Sequence, residues 1–123
     1  EKIQALPFFN QMIIFEKNSI NSGVNPGVNA WLSSHPEVDT FIVVGDCTDL
    51  CIYHLAMYLK ADGNEKQSDR RVIVPANCVD TYDTPVKTAR DLGAFPHDAD
   101  LIHKLFLNHM ALNGVEVYKR ISA

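Results

Sequence analysis

The sequence lacks the features that mark several large classes of protein. Its 123 residues have a formal net charge of −4, so no excess of positive charge favours nucleic acid or an anionic membrane as a partner. No apolar run approaches the roughly 20 residues that a membrane-spanning helix needs, and no signal peptide is visible. What is present is the composition of an ordinary globular domain, with 46% hydrophobic and 21% charged residues.

Cysteine is also scarce, since the sequence has only Cys47, Cys51 and Cys78. Three cysteines cannot all pair within one chain, and the paired C-x2-C spacing typical of zinc sites is absent. We expect a reducing, cytoplasmic setting, and in such a setting a disulfide between Cys47 and Cys51 is disfavoured. No cofactor and no metal ligand is assigned from the sequence.

Short apolar runs alternate with helical patterns along the chain. The runs predict strands at 12–15, 41–44, 72–74 and 115–118. Helix starts are predicted at Asn25-Pro26, Thr48, Thr84-Pro85 and Asp98. The polar stretch 61–71 predicts a surface loop. This alternation predicts an α/β fold in three layers, with a parallel sheet buried between helices on both faces.

The carboxyl ends of the predicted strands indicate where function gathers in such a sheet. These ends carry Glu16 and Lys17, then Asp46 to Cys51, then Asn77 to Asp80. With Thr48 as N-cap, Cys51 falls in the first turn of a helix, where backbone N–H groups and the helix dipole favour a thiolate. The same N–H groups can bind an oxyanion. The pattern therefore indicates acyl transfer through a covalent intermediate, with Lys17 adding positive charge.

The residue types alone leave other interpretations open. Free cysteines are often small buried apolar residues, so Cys51 and Cys78 could have only a packing role. A single lysine such as Lys17 is most often a solvated surface charge. A zinc site from Cys47, Cys51, His54 and Cys78 is a weaker alternative. Asp80 is either a base or an exposed loop carboxylate. Three histidines, His54, His103 and His109, are interpreted as helix-face residues.

One segment resembles a known family. VVGDCTDLCIYHLAMYL is similar to the nucleophile segment of the isochorismatase-like cysteine hydrolases, in which a strand, a glycine, a threonine and a cysteine precede a helix. Three further segments resemble the family's lysine strand, its following strand and loop, and its closing helix and strand: IFEKNSINSG, VIVPANCVDTYD and HMALNGVEVYK. The resemblance covers nearly the whole chain and implies a Rossmann-like sheet order.

The resemblance implies an Asp-Lys-Cys triad in which Cys51 is the nucleophile and Lys17 the lysine. It also implies an oxyanion hole formed by the backbone N–H groups of Cys47 and Cys51, with a cis peptide bond between Asp46 and Cys47. The implied activity is hydrolysis of a C–N amide-type bond of a small-molecule substrate through a thioester. The alternative is a non-catalytic binding or scaffold protein with the same fold.

The sequence departs from the family pattern before Lys17, where the family has an Asp-x-Gln-like motif on its first strand. No aspartate precedes Lys17, and two family strands have no counterpart. We therefore expect residues 1–123 to be the C-terminal part of a single isochorismatase-like hydrolase domain. The expected partners are the N-terminal portion of the same protein, as a companion polypeptide that supplies the aspartate, and further copies in a homo-oligomer.

Overall fold

The computed structural model describes residues 2–122, in which helices and strands alternate. The α-helices are α1 Pro26–Ser34, α2 Tyr53–Glu65, α3 Val86–Leu92 and α4 Ala99–Leu112. The strands are β1 Thr40–Ile42, β2 Gly45–Asp46, β3 Arg71–Pro75, β4 Val79–Asp80 and β5 Glu116–Tyr118. Short 3-10 turns lie at Phe9–Gln11, Ser22–Val24 and Ala76–Cys78, and a π-helical turn lies at Thr48–Ile52. No helix within residues 2–122 is long and apolar enough to cross a membrane.

The strands form a parallel sheet in the order β1-β3-β5. Beyond its carboxyl edge, β2 and β4 form a second parallel pair in which Asp46 lies opposite Asp80. Val72 to Pro75 of the central strand β3 are all buried, so both faces of that strand are covered. The predicted parallel α/β fold is therefore confirmed.

The hydrophobic core lies where α2 and α4 pack against the sheet. The apolar stripe of α2 contributes Ala56 and Leu59, and α4 contributes Met110, whose side chain is fully buried. The remaining members of the buried cluster are Leu32, Val43, Ile52, Val72, Val74, Val79, Leu107 and Val115. Residues of α2 and of the sheet belong to the same buried cluster. The packing of this cluster therefore places the start of α2 at the carboxyl edge of the sheet.

Two predicted helix starts are confirmed by their capping contacts, and a third helix ends at a glycine. The Asn25 side chain accepts hydrogen bonds from the N–H groups of Gly27 and Val28 at the start of α1. Asp98 accepts from the N–H of Leu101 at the start of α4. Gly93 ends α3 with a φ of +66°, a left-handed conformation that glycine adopts without steric cost.

The strand predicted at Met12–Phe15 is wrong. None of the strand pairs in residues 2–122 includes these four residues, and their side chains are 38–67% exposed. Four consecutive apolar residues favour a strand that is buried on both faces. A strand also needs a hydrogen-bonded neighbour, and residues 12–15 have none in the described part of the chain.

Two other local predictions are corrected. Thr48 does not cap the helix: Cys47 holds the cap position, and the Thr48 hydroxyl is hydrogen-bonded to His103 instead. The stretch 61–71 is not all loop, because α2 continues to Glu65 and buries Gly63. Gly63 lies against the side chain of Arg70, which bonds to Asp62 and to the Leu59 carbonyl, so the polar stretch is folded back onto its own helix.

Candidate active site

Cys51 lies on the π-helical turn Thr48–Ile52, which joins β2 to α2 at the carboxyl edge of the sheet. Its side chain is partly exposed, as are those of Cys47 and Cys78, and all three thiols are free. Helix α2 follows without a break, and its apolar stripe fixes it to the core. The Cys51 thiol is therefore partly exposed to solvent, on a turn that is continuous with a helix packed against the core.

Lys17 reaches Cys51 from a segment 34 residues earlier in the chain. Its Nζ atom donates to Cys51 Sγ at 3.3 Å and to the Ser19 carbonyl oxygen at 3.0 Å. An ammonium group at this distance stabilises a thiolate over a thiol. The structure thus brings the predicted lysine and the predicted nucleophile into direct contact.

The segment that carries Lys17 is held by asparagine side chains. Asn25 Nδ2 donates to the Glu16 carbonyl at 2.7 Å while Asn25 Oδ1 caps α1, so one side chain ties the residue before Lys17 to a helix end. Asn29 Nδ2 donates to the Gly23 carbonyl at 2.9 Å, and Tyr58 of α2 donates to Asn29 Oδ1. The same helix that follows Cys51 therefore anchors the Lys17 segment.

The backbone before Cys51 is unusual at Cys47. The peptide bond between Asp46 and Cys47 is cis. The Cys47 carbonyl accepts hydrogen bonds from the N–H groups of Leu50 and Ile52, both at 3.1 Å, which closes the π-helical turn. The Cys47 side chain makes no capping bond. The structure therefore gives Cys47 a backbone role in shaping the turn that carries Cys51.

Two buried side chains tie that turn to the C-terminal half of the chain. Thr48, which is fully buried, lies 2.8 Å from Nδ1 of His103 on α4. Asp49, which is 8% exposed, accepts from the Thr81 hydroxyl at 2.5 Å and from His97 Nε2 at 2.9 Å. Both residues before Leu50 are thus hydrogen-bonded to residues far away in sequence.

The Asp49–His97 contact shifts the ionisation of both partners. Burial alone raises the pKa of Asp49, but hydrogen bonds from Thr81 and His97 outweigh it and leave the pKa below its ordinary value. The hydrogen bond to Asp49 raises the pKa of His97 above its ordinary value. Both shifts favour the ionic form of the pair, in which Asp49 is ionised and His97 is protonated.

Other predicted residues lie apart from this contact. Asp80 is exposed, and its side chain accepts a hydrogen bond from the N–H of the neighbouring Thr81, as expected of a loop carboxylate. With Asp46 and Cys78 it lines a separate concavity of about 410 Å³.

His54 and His109 pack on the ring of Tyr53, as expected of residues on a helix face. Within residues 2–122, no three His, Cys, Asp or Glu side chains could together hold a metal ion, so the zinc alternative is not supported.

Sequence reasoning missed the partners that hold the site. The sequence pattern gives Asp49 no role beyond its place in the cysteine segment, and it gives no role to Thr81 or His97. His97 lies 48 residues from Asp49, and Thr81 lies 32 residues from it. No local spacing signals such a contact. Only the burial of Asp49, which the structure shows, calls for these partners, since buried charges need them.

Comparison with known proteins gives two informative likenesses, and no family model matches the chain. Nicotinamidase 1 of Arabidopsis thaliana is 29% identical over 90 residues, which are 70% of this chain and 36% of that protein. The crystal structure of a nicotinamidase from Staphylococcus aureus has a TM-score of 0.61, with 21% identity over 85% of this chain and 52% of that chain. Both likenesses support the resemblance of this chain to the isochorismatase-like cysteine hydrolases.

The resemblance of this chain to the isochorismatase-like cysteine hydrolases, drawn first from its motifs, is thereby confirmed. The structural likeness shows that the isochorismatase-like fold is shared. The matched region spans about a third of the curated relative and about half of the solved structure.

Proposed function

We propose that the protein is a cysteine hydrolase that cleaves a C–N amide-type bond of a small molecule through a thioester. The observation that carries the proposal is the contact of 3.3 Å between Lys17 Nζ and Cys51 Sγ. Similarity to proteins named nicotinamidases supports the choice of an amide as the bond that is broken. A free, partly exposed thiol beside an ammonium group has the properties of a nucleophile.

In the proposed reaction, the Cys51 thiolate attacks the carbonyl carbon and pushes its electron pair onto the carbonyl oxygen. The N–H groups of Cys47 and Cys51 bind that oxyanion. When the intermediate collapses, the C–N bond breaks, and the leaving nitrogen takes a proton and departs as ammonia or an amine. Water then attacks the thioester, releasing the carboxylic acid and restoring the Cys51 thiol.

Lys17 has two parts in this proposal. Its ammonium group stabilises the Cys51 thiolate before attack, and it stabilises the negative charge that develops during attack. The Ser19 carbonyl, at 3.0 Å, fixes the direction of the Lys17 side chain. Lys17 also lines a concavity of about 190 Å³ with Asn18, Ser19 and Asn21.

The proton transfers need a general base. The family resemblance assigns them to an aspartate upstream of the lysine, and residues 1–16 contain none. We propose that an N-terminal portion of the same protein supplies it as a companion polypeptide, and that the complete site forms in a homo-oligomer. A non-catalytic binding or scaffold protein with this fold is the alternative if no carboxylate reaches Cys51.

A partitioning experiment tests the thioester. The assembled protein is given two amides of one acid, nicotinamide and its N-methyl amide, with hydroxylamine as a competitor of water. A common acyl-cysteine intermediate predicts the same ratio of hydroxamate to acid from both amides, because the leaving group has departed before partitioning. Ratios that differ between the amides contradict the thioester. No hydrolysis of any amide in a panel of small amides supports the binding-protein alternative.

A further inference from the structure

We propose that His97 and Asp49 form a positioning pair that holds the turn Thr48–Ile52, so that turnover falls when His97 loses its proton. This inference rests on the proposed role of Cys51 as the nucleophile. Asp49 lies two residues before Cys51, is 8% exposed, and accepts hydrogen bonds from Thr81 and His97. A change in this buried contact therefore acts directly on the turn that presents the thiol.

Both ring nitrogens of His97 face an acceptor. Nε2 lies 2.9 Å from Asp49 Oδ2, and Nδ1 lies 2.8 Å from the Tyr82 carbonyl oxygen. A neutral imidazole has only one N–H, so it can donate to one of these oxygens and not to both. The imidazolium form satisfies both acceptors at once. The arrangement therefore selects the protonated ring.

The imidazole ring is also fixed from the sides. It stacks on the Tyr82 ring with 4.0 Å between centroids, and the His97 backbone exchanges hydrogen bonds of 2.7 and 2.9 Å with Thr84. Because the ring has little freedom to turn, loss of a proton breaks one hydrogen bond without an easy replacement. The neutral ring then loses its hydrogen bond to Asp49 or its hydrogen bond to the Tyr82 carbonyl, or both are weakened.

The ionisable groups around His97 act in one direction. Hydrogen bonding to Asp49 is the largest reason why the pKa of His97 is raised. The charges of Asp49 on the turn and of Asp83 before α3 act in the same direction, against the lowering effect of burial. A raised pKa means that the contribution of the contact is complete below the ordinary histidine pKa and is lost as pH rises through the raised value. The lowered pKa of Asp49 keeps its carboxylate ionised throughout that range.

An NMR titration of the assembled protein tests the coupling without any substrate. The amide resonances of Asp49 and Cys51 should shift with the same midpoint as the His97 ring resonances, above the midpoint of an ordinary histidine. In His97→Gln this shift should vanish, because glutamine can donate to Asp49 but does not titrate. A Cys51 amide resonance that does not follow His97 in the wild-type protein overturns the proposal, whether or not the variant folds.

Kinetics then separate positioning from general stability. Wild-type kcat/KM for nicotinamide should fall roughly tenfold on the alkaline side, the scale of losing one charge-assisted hydrogen bond, and His97→Gln should lack that fall. Thr81→Val removes the other donor to Asp49 and should lower kcat/KM by a similar factor at every pH while keeping the alkaline fall. An unchanged alkaline fall in His97→Gln overturns the pair. Retained turnover in Cys51→Ala would instead overturn the proposed function.

Discussion

Replacing Lys17 by methionine should slow the reaction of Cys51 with iodoacetamide by roughly five- to tenfold at neutral pH. The substitution keeps a long, flexible side chain and removes the charge that lies 3.3 Å from Cys51 Sγ. At that distance, two unit charges attract by about 1 kcal/mol in water and by about 5 kcal/mol at an effective dielectric constant of about 20. Lys17 is exposed and Cys51 partly exposed, so the value for water is the better guide.

The assay is brief alkylation followed by peptide mapping, which follows all three thiols in one sample. In the wild-type protein, Cys51 should react faster than Cys47 and Cys78, and Lys17→Met should slow only Cys51. Lys87→Met, on an exposed site of α3, is the matched control and should change nothing. Equal labelling of Cys51 in Lys17→Met and in the wild-type protein would refute the electrostatic contact.

Two substitutions test how the Lys17 segment is anchored. Gly23→Ala places a Cβ atom against the Tyr58 ring, far inside van der Waals contact, so it should destabilise the protein by about 3 kcal/mol in thermal unfolding and slow Cys51 alkylation. As the control, Gly93→Ala has no atom within 4 Å of the new Cβ. It should cost only about 1–2 kcal/mol through its φ of +66° and leave the rate of Cys51 alkylation unchanged. Asn25→Ala should cost about 1 kcal/mol as a lost helix cap and also slow Cys51 alkylation, because it releases the Glu16 carbonyl; Cys51 labelling at the wild-type rate would show that Asn25 is a cap only.

The central strand and the helix caps could be predicted because their signals are local. Val72-Ile73-Val74 is an apolar run bounded by Arg71 and Pro75, and Asn25 and Asp98 offer side-chain oxygens at helix starts. The structure confirms each of them. The run Met12–Phe15 carries the same local signal as β3 and forms no strand, because strand formation depends on a neighbour that the run itself does not specify.

The site was predictable in part for a similar reason. Cys51 and its turn form one continuous motif, and Lys17 lies just after an apolar run in a family-like segment, so the sequence predicts both residues. The contacts of Thr48 with His103 and of Asp49 with His97 join residues 55 and 48 positions apart. Such contacts arise from packing of α4 and the preceding loop against the turn, and no sequence spacing encodes them.

The account depends most on Cys51 as the nucleophile, and the most direct measurement is ammonia release by Cys51→Ala in the assembled protein. Cys78→Ala is the control, since it removes a free thiol outside the Lys17 contact. The account predicts that ammonia release by Cys51→Ala falls to the background rate and that Cys78→Ala keeps the wild-type rate. Adding Lys17→Met to Cys51→Ala should not lower the rate of ammonia release any further. Ammonia release by Cys51→Ala at a rate near that of the wild-type protein would contradict it.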